Sequence, residues 1–226
     1  MTNISQYPFL IDSSLTFPGG PGHGIMVVDN AIPHDLCEKM LLFSMDAVDS
    51  EIGMDGLVEG GLDPSVKRTR DVRLSNFNNW PGSWAPEELL KVGYDIVEMD
   101  RQFSVCVSNA IAQYVQPYLG IQNFLLEDSG YQIQKYRRGV GFYKPHIDGM
   151  PGSPMAGNRL VAFLAYLNTV EHGGETDFPL HGLRVPPVQG RVVMFPASWT
   201  HPHEALMPLS DDKYVVSTFI SAKMNP

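Results

Sequence analysis

His146 and Asp148 stand two positions apart in Tyr-Lys-Pro-His-Ile-Asp (143–148), with the apolar Ile147 between them. Along a β-strand, residues i and i+2 share a face, so an imidazole and a carboxylate would project into one space. Such a pair leaves a metal ion wanting a third donor. The C-terminal quarter offers His201 and His203 in Trp-Thr-His-Pro-His-Glu, and strand geometry alone permits either. Two histidines and a carboxylate on one face of a metal, with the other positions open, form the donor set of a non-haem Fe(II) site. Further on, Lys213 heads the apolar run Tyr-Val-Val-Ser-Thr-Phe-Ile. An open metal site has room for a bidentate 2-oxo acid, whose far carboxylate needs a cation to offset its desolvation. Lys213 is placed to supply that cation. Taken singly, each piece has a plainer reading: His-x-Asp arises in many strands by chance, and a lysine after Asp211-Asp212 fits a solvated turn.

The elements that must position these residues differ between the two halves of the chain. Residues 1–24 are rich in Gly and Pro and read as an extended arm, followed by a short strand over 24–29. Pro33 suits the first turn of a helix. Leu36, Met40, Leu41, Met45 and Val48 then recur near a 3.6 period, which predicts an amphipathic helix over 35–48. Residues 49–72 break every periodicity with Gly53, Gly56, Gly60, Gly61 and Pro64, and Lys67-Arg68-Thr69-Arg70 adds a positive patch. This stretch reads as a solvated surface loop, with a lid beside the site as the functional alternative. A strand is expected over 71–77. A second helical region opens at Trp84-Ala85-Pro86-Glu87-Glu88 and runs, with interruptions, to about Tyr118. Up to that point the chain reads as mostly helical, with no residue that carries chemistry.

From Leu125 the texture changes to short strands over 131–136, 143–148, 160–167, 175–178, 183–185, 191–195 and 214–221, with Gly and Pro turns between them. The expected fold is α+β: a double-stranded β-helix (jelly roll) over 125–226, supported by N-terminal helices and a lid loop over 1–124, all in one domain. A hydrophobic content of 43% suits a chain of 226 residues with a substantial core. A net charge of -9 argues against nucleic acid or an anionic membrane as the main partner. Two cysteines, Cys37 and Cys106, read as reduced buried thiols. No leader peptide is visible at the N-terminus and no apolar run reaches the ~20 residues needed to span a bilayer, so the expected location is cytoplasmic.

Residues 131–221 resemble the catalytic core of the prolyl 4-hydroxylase-like branch of the Fe(II)/2-oxoglutarate-dependent dioxygenases. The resemblance is carried by Tyr-Lys-Pro-His-Ile-Asp (143–148), Arg159, Ala-Tyr-Leu-Asn (165–168), Gly-Gly-Glu-Thr-Asp-Phe-Pro (173–179), Gly-Arg-Val-Val-Met-Phe-Pro (190–196), and His203 with Lys213. It implies that His146, Asp148 and His203 bind Fe(II), with His203 chosen over His201 by its spacing to Lys213. It implies that Lys213 pairs with the far carboxylate of 2-oxoglutarate and that Tyr136 hydrogen-bonds this cosubstrate. It places Tyr143 near substrate and oxidant, turns Thr176 toward the metal pocket and turns Arg159 toward the substrate. Phe219 and Tyr214 stand where collagen-type members often have Trp. Related halogenases lack the carboxylate ligand, so Asp148 favours hydroxylation.

The implied partners are O2, 2-oxoglutarate and an organic substrate, with ascorbate as a reductant. A prolyl residue in a peptide or protein is the first candidate substrate, and a free amino acid or other small molecule the second. A zinc hydrolase with the same three donors, or a non-catalytic binding module, is the remote alternative; zinc gives no reason for Lys213 at its position. His172 and His181 read as turn residues, and Trp199 as core packing behind the ligand strand.

Overall fold

The computed structural model describes residues 15–49, 52–58, 60–74, 93–153 and 156–223. Among the described residues two β-sheets lie face to face, with two α-helices against the outside of the larger. The larger sheet runs β1 (Leu15–Thr16), β2 (Met26–Val28), β12 (Val192–Pro196), β9 (Arg159–Tyr166), β14 (Lys213–Ala222), β7 (Gln132–Tyr136), β5 (Arg70–Arg73) and β3 (Met54–Asp55), while β6 (Leu126–Asp128) pairs with the far end of β14. The smaller sheet runs β11 (Leu183–Val185), β10 (Thr176–Phe178), β13 (His203–Ala205), β8 (Phe142–His146) and β4 (Lys67–Arg68). The strand pairings are antiparallel throughout the two sheets.

Alternation along the central strands divides the interior into two cores. On β14, Tyr214, Val216 and Ile220 face outward with Ile133 of β7 and Phe163 of β9. There they meet α1 (His34–Val48) and α2 (Ile96–Tyr114). Helix α2 starts at Asp95, whose side chain accepts from the Glu98 amide at 3.0 Å. Ile96, Met99, Phe103, Val107, Ala110 and Tyr114 form its buried stripe. Phe103 sits edge-on to Tyr131 and Phe163, at 4.9 and 6.0 Å between ring centres. The inner face carries Tyr136, Ala162, Tyr166, Val193, Phe195 and Val215, packed against Phe178 and Val185 of the smaller sheet. The candidate chemistry lies in this inner layer.

Several expectations for the first half of the chain are corrected. The second helix covers Ile96–Tyr114; its expected start at 84–88 falls outside the described residues, whereas the strand expected over 71–77 is present as β5 up to Arg73, with 75–77 outside the described residues. The stretch read as an extended arm contributes β1 where it is described. In α1, Met45 is exposed, and Phe43 and Ala47 complete the buried face instead. Residues 52–74 are not simply a solvated loop: β3, β4 and β5 extend both sheets. Lys67 and Asp71 are buried, and Lys67, Arg68 and Arg70 line a surface groove of about 800 Å³ that contains none of the expected metal ligands. These strands have two to four residues, too short to display a period-two pattern.

Cys37 and Cys106 are free thiols, and burial pushes Cys37 up to about 12. No helix among the described residues is long and apolar enough to cross a membrane.

Candidate metal centre and cosubstrate pocket

Strands β8 and β13 bring His146 and His203 together as antiparallel register partners. Their rings lie 4.3 Å apart, centre to centre. Strand β8 ends at His146, so Asp148 does not reach the site as a strand neighbour. It is held from behind instead. Arg159 Nη1 donates to the Asp148 carbonyl at 2.9 Å, and the Arg159 guanidinium stacks 3.6 Å over the Phe219 ring. Gly149 lets the turn close, because a Cβ there would collide with the Ala197 carbonyl.

The result is convergent. Asp148 Oδ1 lies 3.6 Å from His146 Nε2, and Asp148 Oδ2 lies 3.4 Å from His203 Nε2. One donor atom from each residue falls within 4.8 Å of the others. His146 Nδ1 contacts the Lys144 carbonyl at 2.8 Å, and His203 Nδ1 contacts the His201 carbonyl at 3.1 Å. A carbonyl accepts only, so these contacts select the Nδ1–H tautomer and leave both Nε2 atoms as donors to a metal.

The charges fit as well. Burial opposes ionisation of Asp148, but His203, His146 and Arg159 outweigh it and bring the carboxyl down to about 2. Burial drives His203 down to about 4, against the pull of Asp148. At neutral pH the site presents a carboxylate beside a neutral His203 imidazole, the states that bind a divalent first-row cation.

His201 is built differently. Its Nε2 meets the His23 carbonyl at 2.7 Å, its Nδ1 meets Thr200 Oγ1 at 2.9 Å, and its ring stacks on His181 at 4.5 Å. With both nitrogens engaged it stands outside the donor cluster. His181 closes a 3-10 turn, as expected of a turn residue. Trp199 is 70% exposed, which overturns the expectation of core packing. It belongs to the surface turn between β12 and His203, where it stands largely in solvent.

The remaining expected residues take distinct places. Lys213 is 1% exposed; its Nζ donates to the Gly174 carbonyl at 2.8 Å and lies 4.2 Å from the Tyr136 ring centre. Among the described residues no carboxylate comes within salt-bridge distance of it. Burial pushes its ammonium down to about 7, against the pull of Glu175. Tyr136 donates its hydroxyl to Gln134 Oε1 at 2.8 Å. Tyr143 lies flat on His146, 3.5 Å between ring centres with planes 15° apart. Thr176 is buried, its hydroxyl 2.7 Å from that of Tyr166. Arg159 holds the Asp148 turn. Sequence reasoning missed Tyr166, Lys67 and Asp71. For Tyr166 a signal existed, since it shares a face with Ala162 on β9.

The antiparallel two-sheet sandwich brings two histidines and a carboxylate within reach of one metal ion and buries a lysine in the same inner layer. Residues 131–221 match the family described as the 2OG-Fe(II) oxygenase superfamily. Prolyl 4-hydroxylase subunit alpha-3 of Homo sapiens is 39% identical over 70 residues, covering 28% of this chain and 13% of the relative. The probable prolyl 4-hydroxylase 7 of Arabidopsis thaliana is 37% identical over 75 residues, covering 31% and 23%. The matched parts are therefore less than a quarter of these relatives. In overall fold the chain is similar to a Trichoplax adhaerens prolyl hydroxylase solved with a hypoxia inducible factor peptide fragment (TM-score 0.65, 17% identity, 88% of this chain and 84% of that one). It is also similar to a Pseudomonas putida prolyl-4-hydroxylase (TM-score 0.62, 16% identity, 88% and 93%).

Proposed function

We propose that this protein is an Fe(II)- and 2-oxoglutarate-dependent hydroxylase acting on an unactivated C–H bond of a prolyl residue in a peptide or protein. The observation that carries the reading is a metal-ready triad sharing one sandwich with a buried ammonium that has no carboxylate partner among the described residues. His146, Asp148 and His203 would hold the iron. Lys213 would pair with the far carboxylate of 2-oxoglutarate, flanked by Tyr136 and by the Tyr166–Thr176 hydroxyl pair. When bound, iron and cosubstrate supply the oxidising power: O2 and 2-oxoglutarate are consumed, succinate and CO2 leave, and the C–H becomes C–OH.

The protein's own share is positional. The two Nδ1–carbonyl contacts fix the imidazole planes, and Arg159 fixes the Asp148 turn. The inner apolar layer of Phe178, Phe195 and Val215 keeps water from the cosubstrate end. Tyr143, lying on a ligand ring near the outer end of β8, would face the bound substrate. The matches to prolyl 4-hydroxylases support a prolyl substrate, and the peptide held by the Trichoplax relative supports a peptide one.

In this reading the sandwich is a double-stranded β-helix and 1–226 is one domain. Strands from both halves of the chain share each sheet, which supports that. Ascorbate would serve as reductant, and two free thiols suit a cytoplasmic location. Zinc would use the same three donors, but it leaves Lys213 without a task.

The test is succinate release from 2-oxoglutarate, with mass spectrometry of the substrate, across proline-containing peptides, free proline and other amino acids. A proline peptide should stimulate turnover and gain one oxygen atom, and His146→Ala should abolish both. Turnover with free amino acids alone would move the substrate class. No turnover with any of them, together with tight zinc binding, would overturn the reading.

A further inference from the structure

We infer that the buried Lys67–Asp71 pair is a positioning device for the metal centre, acting through Tyr143 on the ligand His146. The inference rests on the metal site proposed above and adds residues from the half of the chain that lies outside the matched family segment.

Lys67 is on β4, the edge strand of the smaller sheet, and Asp71 is on β5 of the larger one; between them the chain crosses the sandwich. Lys67 Nζ lies 3.0 Å from Asp71 Oδ2, with the two side chains 3% and 1% exposed. Gln132 Nε2 from β7 donates to the same oxygen at 2.5 Å. The other oxygen, Oδ1, and the neighbouring Thr69 hydroxyl are buried and have no hydrogen-bond partner among the described residues. Burying two charges in this way is a poor route to stability, because an apolar pair of similar volume does at least as well. What an ion pair adds is a fixed direction, and this one ties the two sheets together at one point.

That point is next to the metal ligands. Lys67 and Tyr143 are register partners across β4 and β8, with the ammonium 5.3 Å from the centre of the phenol ring. The far end of the relay is the His146 imidazole, on which Tyr143 lies flat. Each donor therefore has its own support. Asp148 has Arg159, His203 has the rings of Phe178 and Phe195, and His146 has Tyr143 backed by Lys67. Gly56 fits the same arrangement, since a Cβ there would strike Thr69 Oγ1 and crowd Lys67 Cε and Asp71 Oδ2.

The experiment is Co(II) titration of the full chain without substrate, reading both affinity and the visible ligand-field spectrum. It uses the wild type, Lys67→Met/Asp71→Leu, Tyr143→Leu and the triple variant, with melting curves alongside. The double variant should keep its melting temperature yet bind Co(II) about tenfold more weakly with an altered spectrum, the usual scale for groups that orient a ligand. Tyr143→Leu should do the same, and the triple variant should be no weaker than Tyr143→Leu, because both changes cut one relay. Wild-type affinity and spectrum in the double variant, or additive losses in the triple, would overturn the inference. Should the double variant fail to fold, Lys67→Arg carries the same test. It should shift the Co(II) spectrum in the wild-type background and not beside Tyr143→Leu; equal shifts in both backgrounds would overturn the inference. If His146→Ala binds Co(II) as tightly as the wild type, the metal site itself is wrong. If His146→Ala loses binding while the Lys67 variants do not, only the positioning role falls.

Discussion

Lys213 and Tyr136 face each other across β14 and β7 as register partners, the ammonium 4.2 Å from the centre of the phenol ring. The ring face gives the cation a favourable neighbour without neutralising it. Among the described residues its Nζ donates to a neutral carbonyl, that of Gly174. A buried cation in that condition would receive an anion, and its chemistry sets the first two predictions.

Burial lowers the Lys213 ammonium from 10.5 to about 7. Between those values the unfolded chain holds a proton that the native protein lacks. Native stability therefore rises as pH climbs through that window, and the gain is absent below it. Lys213→Met should remove this rise in urea denaturation curves and leave the protein at least as stable as wild type at pH 6.5 (about half a unit below the native value). An unchanged slope would show that Lys213 is not the group responsible.

Binding of 2-oxoglutarate should reverse the shift, because a carboxylate favours the charged ammonium. Above about pH 7 binding should then take up a proton and weaken as pH rises, read by calorimetry in buffers of different ionisation heat. Lys213→Met should raise the KM for 2-oxoglutarate at least tenfold, since a desolvated carboxylate loses a charge-assisted hydrogen bond of about 1.5–3 kcal/mol.

The two candidate histidines should separate cleanly. His203→Gln should lose metal binding, as followed by Co(II) absorption. His201→Gln should bind metal within about twofold of wild type while losing on the order of 1 kcal/mol of stability from its His23 contact. Metal loss in His201→Gln with retention in His203→Gln would reverse the assignment.

Arg159→Met should weaken metal affinity about tenfold by releasing the Asp148 turn. Arg159→Lys should recover only part of it, because an ammonium does not reproduce the planar stack on Phe219. Titration of both variants with Co(II) checks this, and wild-type affinity in Arg159→Met would remove Arg159 from the centre.

On the outer face, Phe103→Ala should cost about 3–5 kcal/mol in denaturant unfolding, the range for a buried phenylalanine. It fills the contact of α2 with Tyr131 and Phe163. A loss under about 1 kcal/mol would mean that α2 does not carry the outer core.

The site's chemistry was legible where it is written in residue types. His-x-Asp, a later histidine and a lysine heading an apolar strand name a metal and an anion receptor. The geometric reason was only half right: His146 is on the strand, but Asp148 lies beyond its end and depends on Arg159 and Gly149, which no periodicity announces. Lys67 and Asp71 were hidden because a glycine-rich stretch of charged residues looks solvated, and only a chain crossing between sheets turns those charges inward. Trp199 misled for the opposite reason. Its type suggests a core, yet in the turn before His203 it stands largely in solvent. The helices and the long strands β9 and β14 were plain in the sequence, whereas β3, β4 and β5 were too short to show a repeat.

The most direct measurement is an anaerobic titration of the apo-protein with Fe(II) and then 2-oxoglutarate, watching the visible region for the charge-transfer band of a chelated Fe(II)–2-oxo acid. The wild type should develop the band, and Lys213→Met should not do so at the same cosubstrate concentration. A wild-type protein that binds zinc tightly yet forms no band with Fe(II) and 2-oxoglutarate would contradict the assignment.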